Sequence, residues 1–254
     1  YMSSPYSVEK LLELSILAVR KARDKVFSDV GNLNKDYTYD LKFQKEIKAS
    51  VDVALEKEIL DILTPTGLSI LSEEIGIVKS GTSELYFVVD PLDGTFNYIK
   101  DSGPYAISIA LWRGNNPVFG VIFDLNNNKL AWGGKGIGSF YDSSKINVSN
   151  INNKKIASIF TGFPSRLKLD SKKEHSFFDL VSSYSKVRMI GSAAISLLNV
   201  ARGSADIYVE KNIMHWDVAA GIAIVEGAGG RVKYEAGSID HSLNVYASNG
   251  LILE

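Results

Sequence analysis

The chain has 254 residues, 28 Lys and Arg against 29 Asp and Glu, and a formal net charge of −1. It is 45% hydrophobic and 22% charged, which excludes a disordered chain, while the near-zero charge lacks the basic footprint of a nucleic-acid binder. Zero Cys excludes disulfides, thiolate catalysis, iron–sulfur clusters and thiolate zinc sites, and three His leave any metal chemistry to carboxylates.

No apolar run approaches the ~20 residues of a membrane span, and residues 1–10 lack the basic-then-apolar order of a secretory signal. A soluble, cytoplasmic protein with no membrane partner is expected, with Tyr1 ahead of Met2 set aside as foreign. Val8, Leu11, Leu12, Ala18, Val19, Ala22 and Val26 recur at helical spacing behind Pro5 and Ser7, and Gly31 and Asn32 end the pattern. Residues 31–48 are polar and aperiodic, a loop whose length points to function. A second helix is predicted from Ser50 to Leu63, with Val51, Leu55, Ile59 and Leu63 on one face and Thr64–Gly67 ending it.

Strands are predicted over Leu68–Leu71, Leu85–Val89, Tyr105–Trp112, Val118–Asp124, Leu130–Trp132 and Ser139–Tyr141, with turn residues between them. Their close spacing predicts an antiparallel meander. After about Asn150 strands and helices alternate: strand Ile156–Phe160, helix Lys172–Ser183, strand Val187–Ile190, helix Ala193–Ala201, strand Ile207–Val209, helix Trp216–Glu226, then strands Arg231–Lys233 and Leu243–Ala247. The fold class expected is therefore α/β: an α+β N-terminal half (1–147) and an α/β C-terminal half (148–254).

The segment Tyr86–Asn97 carries the strongest chemical signal. A hydrophobic strand ends in Asp90, and Asp93 follows beyond Pro91. With the Leu92 carbonyl they form an all-oxygen set suited to a hard cation such as Mg²⁺. Gly94 and Thr95 offer backbone amides to a phosphate. The ordinary alternative is an Asp-rich turn whose carboxylates cap local N–H groups. Glu73 follows another predicted strand, and Asp217 opens a small-residue helix, where an N-cap role alone explains it. Gly133–Gly138 reads as a hairpin, since no helix follows it, and His215 as structural or surface, since hard cations prefer oxygen.

Taken together, S-E-E-I-G (72–76), D-P-L-D-G-T-F-N (90–97), T-G-F-P-S-R (161–166), G-S-A-A (191–194), D-I-Y-V-E (206–210), W-D-V-A-A-G (216–221) and E-G-A-G-G (226–230) resemble the inositol monophosphatase family of Mg²⁺-dependent, lithium-sensitive sugar-phosphate phosphatases. The resemblance covers about residues 5–250 and implies a layered αβαβα sandwich. It implies Glu73, Asp90, the Leu92 carbonyl, Asp93 and Asp217 as ligands of two or three Mg²⁺, and Thr95, Asp52 and Glu73 as catalytic groups. It further implies Asp93, Gly94, Thr95, Gly191, Ser192, Ala193, Glu210 and Asp217 as substrate contacts, and a homodimer or higher homo-oligomer. The stretch Ile47–Asp52 lacks the family's usual Thr, which weakens the match at Asp52. Asp36 and Asp40 are further ligand candidates in the preceding loop.

An acidic Glu210 suits the hydroxyls of a polyol monophosphate, which favours inositol 1-phosphate as the small-molecule substrate. Against it, D-G-T-F-N resembles archaeal members that also accept fructose 1,6-bisphosphate, with Arg166, Arg188 or Lys211 available for a distal phosphate. A regulatory protein on the same scaffold is the rival of another class.

Overall fold

The apolar periodicities resolve into five layers. The computed structural model describes residues 5–28, 37–39, 47–78, 83–163 and 171–252. Helix α1 (Val8–Ser28) starts where Ser7 accepts the Lys10 N–H at 3.2 Å, as an N-cap does. A short antiparallel ladder, β1 (Tyr37–Tyr39) with β2 (Ile47–Ala49), leads into α2 (Ser50–Leu63). Next come β3 (Ser69–Ser72), β4 (Gly76–Val78), β5 (Leu85–Asp93), the short helix α3 (Thr95–Ile99) and the meander β6 (Ala106–Arg113), β7 (Asn116–Asp124), β8 (Lys129–Gly134), β9 (Gly138–Tyr141) and β10 (Ser144–Lys145). The remainder is β11 (Ser158–Thr161), α4 (Ser171–Ser182), β12 (Lys186–Arg188), α5 (Ala193–Ala201), β13 (Ile207–Met214), α6 (His215–Gly227), β14 (Arg231–Ala236) and β15 (Ser242–Ser248).

The first sheet has eight strands in the order β10-β9-β8-β7-β6-β5-β3-β4, antiparallel except where β3 runs parallel to β5. The expected meander is present, and Gly133–Gly138 is the expected hairpin. The second sheet has five strands, β12-β11-β13-β15-β14. Its first three are parallel, and the last two add antiparallel, so strand–helix alternation describes half of it.

Period-2 alternation sorts the first sheet's side chains. Phe87, Val89, Ile107, Ile109 and Leu111 pack under α1 and α2, while Val88, Ala110, Trp112 and Ile122 face the other way. On that second side lie α5 and α6, and beyond them Tyr208, Val245 and Ala247 of the second sheet. Helix α4 closes the far face through Leu180. Because α6 is covered on both sides, Val218–Val225 are all buried and the helix is apolar all round. One of the three buried clusters thus contains side chains of both predicted halves.

Small residues set the spacing of these layers. A Cβ on Gly120 of β7 would overlap the backbone of Ala220 in α6. Replacing Gly120 by Ala is expected to lower stability by about 1–3 kcal/mol, the usual range for overpacking, measured as a fall in denaturant midpoint. An unchanged midpoint would show that α6 is free to move off the sheet.

Three local expectations are corrected. Strand β5 does not end at Val89 but runs to Asp93, because a register shift between Asp90 and Asp93 lets the sheet accept Pro91, which has no N–H to donate. The strand predicted to Ile190 stops at Arg188, ahead of the turn at Gly191. Helix α6 starts at His215 with Met214 as its N-cap, so Asp217 sits inside the first turn rather than capping it. Short strands β4 and β10 lacked the length to be read from periodicity. Among the described residues, no helix is long and apolar enough to cross a membrane.

Candidate active site

Carboxylates converge where β3 and β5 end side by side and α5 and α6 begin. Glu73 follows β3, its N–H bonded to the Val89 carbonyl at 3.3 Å, which places it next to Asp90. Upstream, buried Glu56 of α2 accepts the Ser72 hydroxyl and, at 3.3 Å, the Ile75 N–H, so both sides of Glu73 are fixed. Asp90 accepts the Leu92 N–H at 3.0 Å, closing the turn around Pro91.

Asp93 is held by the second half of the chain. It accepts the Ser192 hydroxyl, the Ala194 N–H at 2.9 Å and the Ala193 N–H at 3.3 Å. Ser192 in turn caps α5 through the Ile195 N–H. The carboxylate therefore lies on the positive end of a helix. Asp217 approaches from α6, and oxygens of Asp90, Asp93 and Asp217 all lie within 4.8 Å of one another.

Burial dominates the electrostatics. It pushes Glu73 up to about 8, with the Asp52 charge adding to the effect. Asp90 and Asp217 are raised well above the carboxylate range by burial and then by neighbouring acids, Glu73 first in both cases. Asp93 rises only to about 6, because Ser192 and the α5 amides stabilise its charged form against burial. Among the described residues no ion pair includes any of these four acids. Such a group is fully ionised at neutral pH only if a cation compensates its like charges, and the donors are the hard oxygens that suit a small divalent ion. The residues present fit such a metal.

Thr95 lies beside this cluster. Its hydroxyl is 3.0 Å from Asp52 Oδ1 and 2.9 Å from the Leu92 carbonyl. It has one hydrogen, so donating to Asp52 leaves the Leu92 oxygen available to a cation. Gly94 turns the chain at φ 88°, where a Cβ would come within 2.8 Å of the Pro104 carbonyl. Only glycine fits there.

Next to the acids is a cavity of about 350 Å³, lined by Asp93, Asp217, Gly191, Ser192, Ala193 and Glu210 among others. Glu210 is buried and receives the Tyr208 hydroxyl at 2.8 Å. Burial raises it to about 7, and the Tyr208 bond opposes that rise.

The structure thus brings together Asp52, Glu73, Asp90, Leu92, Asp93, Thr95 and Asp217, with Gly191, Ser192, Ala193 and Glu210 around the adjoining cavity. Arg188 lies elsewhere: it is exposed on the edge strand β12, and its guanidinium bonds to the Val187 carbonyl. Lys211 is exposed, and Arg166, Asp36 and Asp40 lie outside the described residues. His215 is packed edge-on against Trp112 at 4.4 Å and lowered to about 4 by burial, as a structural residue. Sequence reasoning missed Asn97, whose side-chain amide donates to the Pro104 and Ile190 carbonyls at 2.8 Å each and ties the Gly94 turn to the Gly191 turn.

A profile of the inositol monophosphatase family matches residues 7–254. The chain is 32% identical over 227 residues to a fructose-1,6-bisphosphatase/inositol-1-monophosphatase of Aquifex aeolicus, covering 88% of this chain and 85% of that protein. It is 34% identical over 224 residues to the Nus factor SuhB of Xylella fastidiosa, covering 87% and 80%. The solved structure of an inositol monophosphatase from Anabaena superposes with a TM-score of 0.81 at 29% identity, covering 96% of this chain and 92% of that one.

Proposed function

The chain belongs to the inositol monophosphatase family of metal-dependent phosphatases, and on that premise we propose that it hydrolyses inositol 1-phosphate to inositol and phosphate with two or three Mg²⁺. When bound, the metal supplies Lewis-acid polarisation of the phosphoryl group and a water of lowered pKa. Glu73, Asp90, Asp93, Asp217 and the Leu92 carbonyl would hold it. The Thr95 hydroxyl and the Asp52 carboxylate orient and deprotonate the attacking water, and the close backbone at Gly94 receives the phosphate. A cytoplasmic homodimer belongs to the same proposal and rests on the sequence expectations.

Glu210 carries the choice of substrate. It is an acid on the cavity wall, tied by Tyr208 and lining the same cavity as Asp93 and Asp217. A carboxylate there accepts hydrogen bonds from a polyol and repels a second phosphate. The relative in Aquifex, named for both activities, favours a second reading in which fructose 1,6-bisphosphate is also accepted. The relatives named Nus factor SuhB favour a regulatory role, although a binding protein has no need of the gathered carboxylates.

The test is phosphate release with Mg²⁺ from inositol 1-phosphate and from fructose 1,6-bisphosphate, each with and without Li⁺. Faster lithium-sensitive release from the inositol ester is expected. Comparable rates on both establish the dual activity, and release from neither overturns the proposal.

A further inference from the structure

We propose that Tyr208 and Gly162 are the positioning residues that set this site's selectivity for a polyol, by fixing the orientation of Glu210. The inference rests on the polyol phosphate reading above. Tyr208 and Glu210 stand two apart on β13 and so share a face of the sheet. Tyr208 is fully buried, so no water competes for its hydroxyl, and that hydroxyl bonds to Glu210 Oε2 at 2.8 Å. Burial also holds the phenol well above its ordinary pKa, so it stays a donor at working pH. Among the described residues, the other Glu210 oxygen receives no hydrogen bond. It is the acceptor left for a substrate hydroxyl.

Gly162 supplies the space. It follows β11, across from β13, and a Cβ there would lie 2.7 Å from Oε2 and 2.8 Å from Oε1 of Glu210. The carboxylate therefore rests against bare backbone. The backbone at Gly162 is outside the left-handed region, so alanine is conformationally allowed, and the three atoms nearest its Cβ would all belong to the Glu210 carboxylate. Two different features, a donor on one side and an absent side chain on the other, thus confine the same group. Neither residue belongs to the clustered acids or to the Gly94 turn, so their effect is expected on the alcohol half of the substrate.

The experiment measures kcat and KM for inositol 1-phosphate and the inhibition constant of inorganic phosphate, at saturating Mg²⁺, for wild type, Tyr208→Phe and Gly162→Ala. Loss of a hydrogen bond to a charged group corresponds to a KM about tenfold higher in each variant. Because the polyol contact is lost while the phosphoryl site is kept, kcat is expected within about twofold of wild type and phosphate inhibition unchanged. The two substitutions are independent, so if one variant fails to fold by thermal melting, the other decides. An unchanged KM overturns the inference, as does a KM that rises together with the phosphate inhibition constant. A wild type that does not hydrolyse inositol 1-phosphate overturns the polyol reading and this inference with it. Hydrolysis by wild type with unchanged variants overturns this inference alone.

Discussion

Asp217→Asn is expected to reduce phosphate release by roughly a thousandfold or more while leaving the metal-free protein folded and at least as heat-stable as wild type. The catalytic loss follows from metal chemistry: a cation clamp supplies several kcal/mol of transition-state stabilisation, and about 1.4 kcal/mol corresponds to tenfold in rate. The retained stability follows from the like charges. Asp217 is raised well above its ordinary range by burial and then by Glu73, Asp93 and Glu210, so a neutral amide of the same shape removes repulsion. The same exchange at Asp93 is less clean, because an asparagine there would turn an amide toward the donors Ser192, Ala193 and Ala194. Steady-state rates and melting curves, with and without Mg²⁺, read both effects. Wild-type activity in Asp217→Asn would remove α6 from the metal site.

The second large effect concerns pH. Burial raises Asp93 to about 6, Glu210 to about 7 and Glu73 to about 8, from ordinary values of 3.8, 4.5 and 4.5. A carboxyl group whose folded-state pKa is raised supports the fold fully below its unfolded value and loses that support as pH rises toward the folded value. The metal-free protein therefore loses stability between about pH 4 and pH 8. On the proposed function Mg²⁺ binds the deprotonated acids, so its stabilising effect is expected to grow across the same window. At a hundred times its Kd it contributes about 2.7 kcal/mol, roughly 5–10 °C in Tm for a chain of this size. Melting at about pH 5 and about pH 8 with and without Mg²⁺ should show a shift of that order at the higher pH and little at the lower. A shift independent of pH would mean that the acids are already ionised without metal.

How far the sequence reached depended on the kind of residue. Val8–Val26 and Ser50–Leu63 carry long one-sided periodicities, and both helices lie where the spacing put them. Glu73 and Asp90 were legible because each follows an apolar run, and parallel pairing of β3 with β5 brings such positions together. The β5 register shift was not, since a bulge depends on the partner strand. Asn97 and Glu56 act through hydrogen bonds across 93 and 16 residues respectively, and no local pattern marks such partners. For Arg188 the limit was direction: an edge strand of three exposed residues gives no sign of which way its side chains turn.

On the proposed function the gathered acids act through a divalent ion, so the most direct measurement is a Mg²⁺ titration of phosphate release from inositol 1-phosphate, starting from chelated enzyme. The arrangement of Glu73, Asp90, Asp93 and Asp217 predicts no release without metal and a saturable rise as Mg²⁺ is added, absent in Asp217→Asn. Release that persists in chelator, or that rises equally in Asp217→Asn, would contradict it.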